Sequence, residues 1–135
     1  MRCANVAVIG EFLNQTDICA SIDKATHKQM PYIEAKMSFK LEDTQKDDLH
    51  KKLEDVISGA FSKPKSYIMT NIEDSQRLYM AGSRIDKGAY ISVSLLGSAS
   101  KSACQTATQE ICDILKTDLG VDTSKVYITY HPADL

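Results

Sequence analysis

The sequence has no apolar run long enough for a membrane span or a leader. The longest near its start, Val6-Ala7-Val8-Ile9, ends at Gly10 and Glu11, far short of the ~20 residues a spanning helix needs. It also has no excess of basic residues: acids and bases are interspersed and the formal net charge is -2. No continuous positive surface is available to neutralise a phosphate backbone, so nucleic acid is not an expected partner. Cys-x-x-Cys spacing is missing too. The four cysteines stand at positions 3, 19, 104 and 112, and His27, His50 and His131 are scattered; zinc clusters use closer ligand pairs, so no metal site is expected. Cys104 and Cys112 fall on one expected helix, about 12 Å apart along its axis, beyond the reach of a disulfide. Small buried thiols in a reduced, cytoplasmic protein are the expectation.

What is present is the composition of one folded domain: 135 residues, 43% hydrophobic and 25% charged. Residues 31–39 alternate, with Ile33, Ala35, Met37 and Phe39 on one side, the period-two pattern of a half-buried strand. Asp43-Thr44 can cap a helix whose apolar stripe is Leu49, Leu53, Val56, Ile57 and Ala60. Pro64 ends it, and the strand formers of residues 66–72 follow. Leu78-Tyr79-Met80 predicts a short strand and Gly82-Ser83 a turn.

A second unit repeats this order. A strand at 89–96 breaks at Gly97, a helix from near Ser100 carries Cys104, Ala107, Ile111, Ile114 and Leu115, and Gly120 stops it. Ser124-Lys125-Val126-Tyr127-Ile128-Thr129-Tyr130 then echoes Lys65-Ser66-Tyr67-Ile68-Met69-Thr70. Two strand-helix-strand units predict an α+β fold: a four-stranded mixed sheet with both helices on one face and right-handed crossovers. The opposite face is expected to carry Tyr32, Tyr67 or Tyr127 beside several aliphatics, which self-association would bury.

The first strand covers roughly 26 Å and the first helix returns about as far, so Lys63 is set beside Pro31. If the second unit runs antiparallel to the first, Leu96-Gly97 reaches the same edge. Taken alone, a proline opening a strand is ordinarily structural, and a lysine after a helix ordinarily stabilises the helix end.

Further features lie in a shared order: Met30-Pro31 before a strand, Gly59-Ala60-Phe61-Ser62-Lys63-Pro64 with Tyr67 soon after, Met80-Ala81-Gly82-Ser83, Ser94-Leu95-Leu96-Gly97, and Val126-Tyr127-Ile128. In these the sequence resembles the macrophage migration inhibitory factor and D-dopachrome tautomerase family, over about residues 30–130. The resemblance implies a homotrimer with active sites between subunits, catalysing keto-enol tautomerisation of aromatic α-keto acids and dopachrome-like compounds without metal or organic cofactor. It implies Pro31 as the base, once the methionine before it is removed, and Lys63 as its electrostatic partner. It further implies Tyr127, contributed by a neighbouring subunit, and Leu96 as pocket residues, with Tyr32 and Tyr67 near the rim. The chemistry suits these residues: an amine of pKa near 8 beside a cation is held partly deprotonated near neutral pH, and the cation can also meet a substrate carboxylate or oxyanion.

Three departures accompany the resemblance. Twenty-nine residues precede Met30-Pro31; while attached they make the Pro31 nitrogen a tertiary amide, and an overextended reading frame or removal by processing is the expectation for residues 1–29. The sequence closes on His131-Pro132-Ala133-Asp134-Leu135, where the family continues through a Trp-containing turn to a further strand. The vertebrate cytokine's Cys-x-x-Cys aligns with Gly88-Ala89-Tyr90-Ile91, so thiol-disulfide catalysis is not expected. The alternative to an enzyme is a noncatalytic cytokine-like interaction protein of the same fold. Its partner would be a cell-surface receptor reached by leaderless release, although no short motif here specifies one.

Overall fold

The structure, a computed structural model, describes residues 5–8, 31–97 and 99–133. The elements are β1 (Asn5–Val8), β2 (Tyr32–Met37), α1 (Asp43–Phe61), β3 (Met69–Glu73), β4 (Tyr79–Met80), β5 (Ser83–Arg84), β6 (Ala89–Leu96), α2 (Lys101–Leu119) and β7 (Val126–Ala133). Short 3-10 turns at Lys65–Tyr67 and Thr123–Lys125 lead into β3 and β7.

The four expected strands form the mixed core of the sheet in the order β7-β6-β2-β3. Each strand-helix-strand unit is parallel within itself, β2 with β3 and β6 with β7, and the two units meet antiparallel between β2 and β6. A fifth strand, β1, lies outside β7 and runs parallel to it; it belongs to the segment before Met30-Pro31, where no element was expected.

Both helices cover one face, and alternation decides what they cover. Ile33, Ala35 and Met37 of β2, Ile91, Val93 and Leu95 of β6, and Val126, Ile128 and Tyr130 of β7 join Leu49, Leu53, Ile57, Ala107, Ile111 and Leu115 in one core. Tyr130 is the largest side chain there. Its hydroxyl donates to the Cys104 carbonyl at 3.2 Å and shares a 2.8 Å hydrogen bond with Thr108 Oγ1, so the phenol's polar end is satisfied. Burial raises the Tyr130 pKa above the ordinary phenol value.

The opposite face differs from the expectation. Tyr32, Glu34, Lys36, Asn71, Glu73, Tyr90, Ser92, Ser94, Tyr127, Thr129 and His131 occupy the outward positions of the four strands. Tyrosines therefore stand mostly among polar and charged groups, with Met69 and Leu96 beside them at one end, because the core aliphatics fall on the helix side of the period-two alternation. Tyr67 is not on this face: it sits in the Lys65–Tyr67 turn. This face is already knit by hydrogen bonds from Tyr90 Oη to Thr129 Oγ1 at 2.9 Å and from Thr129 Oγ1 to His131 Nε2 at 3.1 Å.

Three local expectations need correction. The second strand begins at Met69, three residues later than the strand formers suggested, because Pro64 leads into a 3-10 turn whose bonds run from Tyr67 N to Pro64 O and from Ile68 N to Lys65 O, both 3.1 Å. The cap of α1 is Glu42, whose backbone N–H donates to Gln45 Oε1 at 2.8 Å, a capping-box bond that places the helix start one residue earlier than Asp43-Thr44. Cys104 is a free, buried thiol held protonated by its burial, but Cys112, also buried, is disulfide-bonded. The expectation of two thiols fails at Cys112.

Candidate functional site

Four local devices deliver Lys63 to the edge of the sheet. Helix α1 stops at Ser62, which takes the left-handed conformation at φ 54°. The Lys63 N–H then donates to the Ser58 carbonyl at 3.2 Å, and Ser58 Oγ donates back to the Lys63 carbonyl at 2.6 Å. Pro64, at φ -63° and without an N–H, bars a further helical turn. The Lys63 backbone is thus pinned on both sides, and its half-buried side chain reaches the end of β6, where Nζ donates to the Leu96 carbonyl at 3.0 Å.

Gly97 turns the chain away from that carbonyl at φ 99°, a conformation open to glycine and strained for other residues. A Cβ at Gly97 would stand 3.6 Å from Lys63 Nζ, an ordinary contact, so backbone conformation and not space sets the glycine requirement. Pro31 lies against the same corner. Its carbonyl accepts from Met69 N at 3.1 Å, and continuing the register of Tyr32 with Ser94 puts Pro31 opposite Leu95, one residue from Leu96. Pro31 and Leu96 are both buried.

Pro31, Lys63 and Leu96 are thus brought to one corner, as strand and helix lengths led one to expect. Tyr32 follows Pro31 on the open face, between Ser94 and Met69. Tyr67, 45% exposed, stands in the turn that joins Lys63 to β3. Tyr127 is not at this corner. It pairs with Tyr90, six residues before Leu96, which places it roughly 20 Å away along the sheet. There, 49% exposed, it lines a cavity of about 380 Å³ with Leu78, Tyr79, Met80, Ala81 and Lys125 among others. The wall of that cavity is the β4–β5 hairpin, whose turn residues Ala81 and Gly82 both have positive φ, as a two-residue hairpin requires.

Two features escaped the sequence reading. Met69, the most exposed large apolar side chain described at 66%, sits next to Tyr32 at the Pro31 corner; its place at the first residue of a strand, directly after a turn, is the signal that was available. Thr129 is nearly buried and links Tyr90 to His131; the alternation outward from Val126 could have marked it as facing the open side with Tyr127.

Among the described residues no helix is long and apolar enough to cross a membrane. The fold has close parallels among solved structures. A macrophage migration inhibitory factor protein of Leishmania major aligns with a TM-score of 0.70 at 22% identity, over 77% of this chain and 89% of its own. That of Toxoplasma gondii aligns with a TM-score of 0.70 at 23% identity, over 76% and 90%. A fused 4-OT protein described as a symmetric trimer aligns with a TM-score of 0.67 at 14% identity, over 75% and 84%. No curated protein matches the sequence itself. The model of the macrophage migration inhibitory factor family does match, over residues 30–135, a span that takes in Pro31, Lys63, Leu96 and every element from β2 onward. On that match the chain belongs to the macrophage migration inhibitory factor family, within the tautomerase superfamily.

Proposed function

We propose that the domain of residues 30–135, when its chain begins at Pro31, is a keto-enol tautomerase acting on aromatic α-keto acids or dopachrome-like compounds. The observation that carries this reading is the corner itself: a half-buried ammonium, Lys63, held 3.0 Å from the Leu96 carbonyl beside the residue whose nitrogen would be the base. A free Pro31 amine would take the proton from the carbon next to the keto group. The electron pair would move onto the carbonyl oxygen as an enolate, which Lys63 stabilises as a preorganised cation, and protonation of that oxygen would complete the enol. No cofactor enters this scheme. Leu96 would wall the pocket, with Tyr32 and Tyr67 at its rim.

Tyr127 supports a shared site. At roughly 20 Å from Leu96 of its own chain it is out of reach of its own corner, and a homotrimer would let it serve the corner of a neighbouring copy. A second reading, a noncatalytic interaction protein of the same fold, is favoured by one observation: in the 135-residue chain Pro31 is joined to Met30, and an acylated nitrogen has no basic lone pair because that pair is shared with the carbonyl. A receptor would be the partner in that case.

The test compares phenylpyruvate turnover by the chain beginning at Pro31 with turnover by the chain keeping residues 1–29, at matched fold by circular dichroism. Activity in the first and a loss of about 10²–10⁴-fold in the second, the usual weight of a general base, is the expected result. Equal activity in both rejects Pro31 as the base, and inactivity in both leaves the interaction protein.

A further inference from the structure

The fifth strand is an addition to the family domain. β1 lies at residues 5–8, outside the matched span of 30–135, yet it is hydrogen-bonded in parallel register onto β7, pairing Asn5 with Tyr127, Val6 with Ile128, Ala7 with Thr129 and Val8 with Tyr130. β7 has eight residues, and all of them pair with β6 on the other side. Without β1 the backbone groups of 127–130 that point away from β6 would form an open sheet edge, and open edges are templates for pairing with another chain. The same segment that supplies β1 also carries the acyl group on Pro31.

We propose that Asn5–Val8 is an assembly clip: by pairing with β7 it holds, within one chain, the sheet edge through which copies of the 30–135 domain associate. This rests on the trimer of the proposed function and gives it a regulation. A strand tethered by residues 9–30 competes at an effective concentration on the order of millimolar, so second copies present at micromolar concentration lose to it. The intact chain is then monomeric as well as acylated at Pro31. Cleavage before Pro31 frees the amine and departure of the extension opens the β7 edge, so basicity and assembly are both governed by the same segment.

The test keeps the full chain, with Pro31 acylated throughout, so that its readout is mass and not activity. The double substitution Val6→Pro with Ala7→Pro removes ladder donors at both parities of β1. Val6→Gly with Ala7→Gly keeps the donors and lowers strand propensity only, which guards against a proline variant that fails to fold. Light scattering and sedimentation across micromolar concentrations should show the intact chain as a monomer. Either variant, with unchanged circular dichroism, should assemble at a concentration lower by on the order of tenfold or more. An intact chain already oligomeric in this range overturns the clip, as does a monomer in both variants. If the chain beginning at Pro31 turns over phenylpyruvate while both variants stay monomeric, the clip fails and the tautomerase reading stands. If the variants assemble and the Pro31 chain is inactive, the reverse holds.

Discussion

The two strand-helix-strand units share one spacing and diverge at one end. Asp43 and Lys101, Phe61 and Leu119, and Lys65 and Thr123 are each 58 positions apart. By that offset Pro31 corresponds to Ala89, Lys63 to Val121 and Leu96 to Ser38. At the second unit's end the corner is sealed: Val121 and Ala89 are core residues, and Ser38 closes the gap to Gly88 by accepting its N–H at 2.8 Å on Oγ and donating its own N–H to the Gly88 carbonyl at 3.1 Å. At the first unit's end a lysine stands where the duplicate has a fully buried valine. Burying ammonium beside apolar neighbours opposes stability, and the counterpart shows that the fold is complete without it. The pair of units therefore contains its own control, with one corner built for packing and the other carrying the lysine on which the proposed function rests.

Exchanging the two corners' residues is the strongest way to break that comparison. Val121→Lys puts an ammonium where Ser38 and Gly88 already satisfy one another, and it should cost about 3–5 kcal/mol, as for an uncompensated buried charge, read as a lower urea midpoint. Lys63→Val in the chain beginning at Pro31 should lower phenylpyruvate turnover by about 10²–10³-fold, the weight of one oxyanion-stabilising donor, with stability unchanged or raised. In Lys63→Ala the acid limb of any remaining activity should move to higher pH, because losing the nearby cation makes the amine easier to protonate. Unchanged rate and profile would remove Lys63 from the mechanism.

Asp74 distinguishes the units more gently. Its carboxylate accepts the Leu41 N–H at 3.0 Å and pairs with Lys46 at 3.3 Å, tying the end of β3 to the start of α1. The Leu41 hydrogen bond, followed by the Lys46 side chain, holds its pKa below the usual carboxylate value. A depressed pKa contributes stability above the unfolded value, near 4, and loses it as pH falls through the folded one. Asp74→Asn should therefore lower the melting temperature at neutral pH, and the gap from the parent should close in acid; a gap constant from neutral pH to well below 4 would reject the linkage.

The smallest effect concerns the helix stops. Ser62 at φ 54° is the counterpart of Gly120 at φ 71°. Ser62→Gly relieves left-handed strain and should gain roughly 0.5–1 kcal/mol, whereas Gly120→Ala should lose about as much. Equal signs for the two substitutions would mean that the two helix ends are not held alike.

Much of this was legible because it is periodic. The alternation of residues 31–37 and 89–96 and the stripes of α1 and α2 each carry several agreeing signals, and element lengths alone brought Pro31, Lys63 and Leu96 to one corner. Where the sequence misled, the local signal was ambiguous. The echo aligned Lys65 with Lys125, a shift of 60, whereas the structure uses 58. The slip of two preserved the face of every strand residue, so the topology survived it, but Tyr67 was read into a strand that it precedes. On the open face Glu34, Lys36, Ser92 and Ser94 stand between the tyrosines, and the expected aliphatics are met by Met69 and Leu96 at one end.

By itself the sequence determined the α+β class, the duplicated unit, the buried side of each strand and the family likeness, since all of these follow from local periodicity and from motifs kept in order. Only the tertiary structure decided that β1 lies on β7, that Tyr127 stands at the far end of the sheet from Lys63, that Cys112 is disulfide-bonded while Cys104 is free, and that Val121 seals the corner opposite the lysine. Those facts depend on which distant segments share a hydrogen-bonded edge or a core position, and pairings between segments far apart in the chain leave no period in the sequence from which to read them.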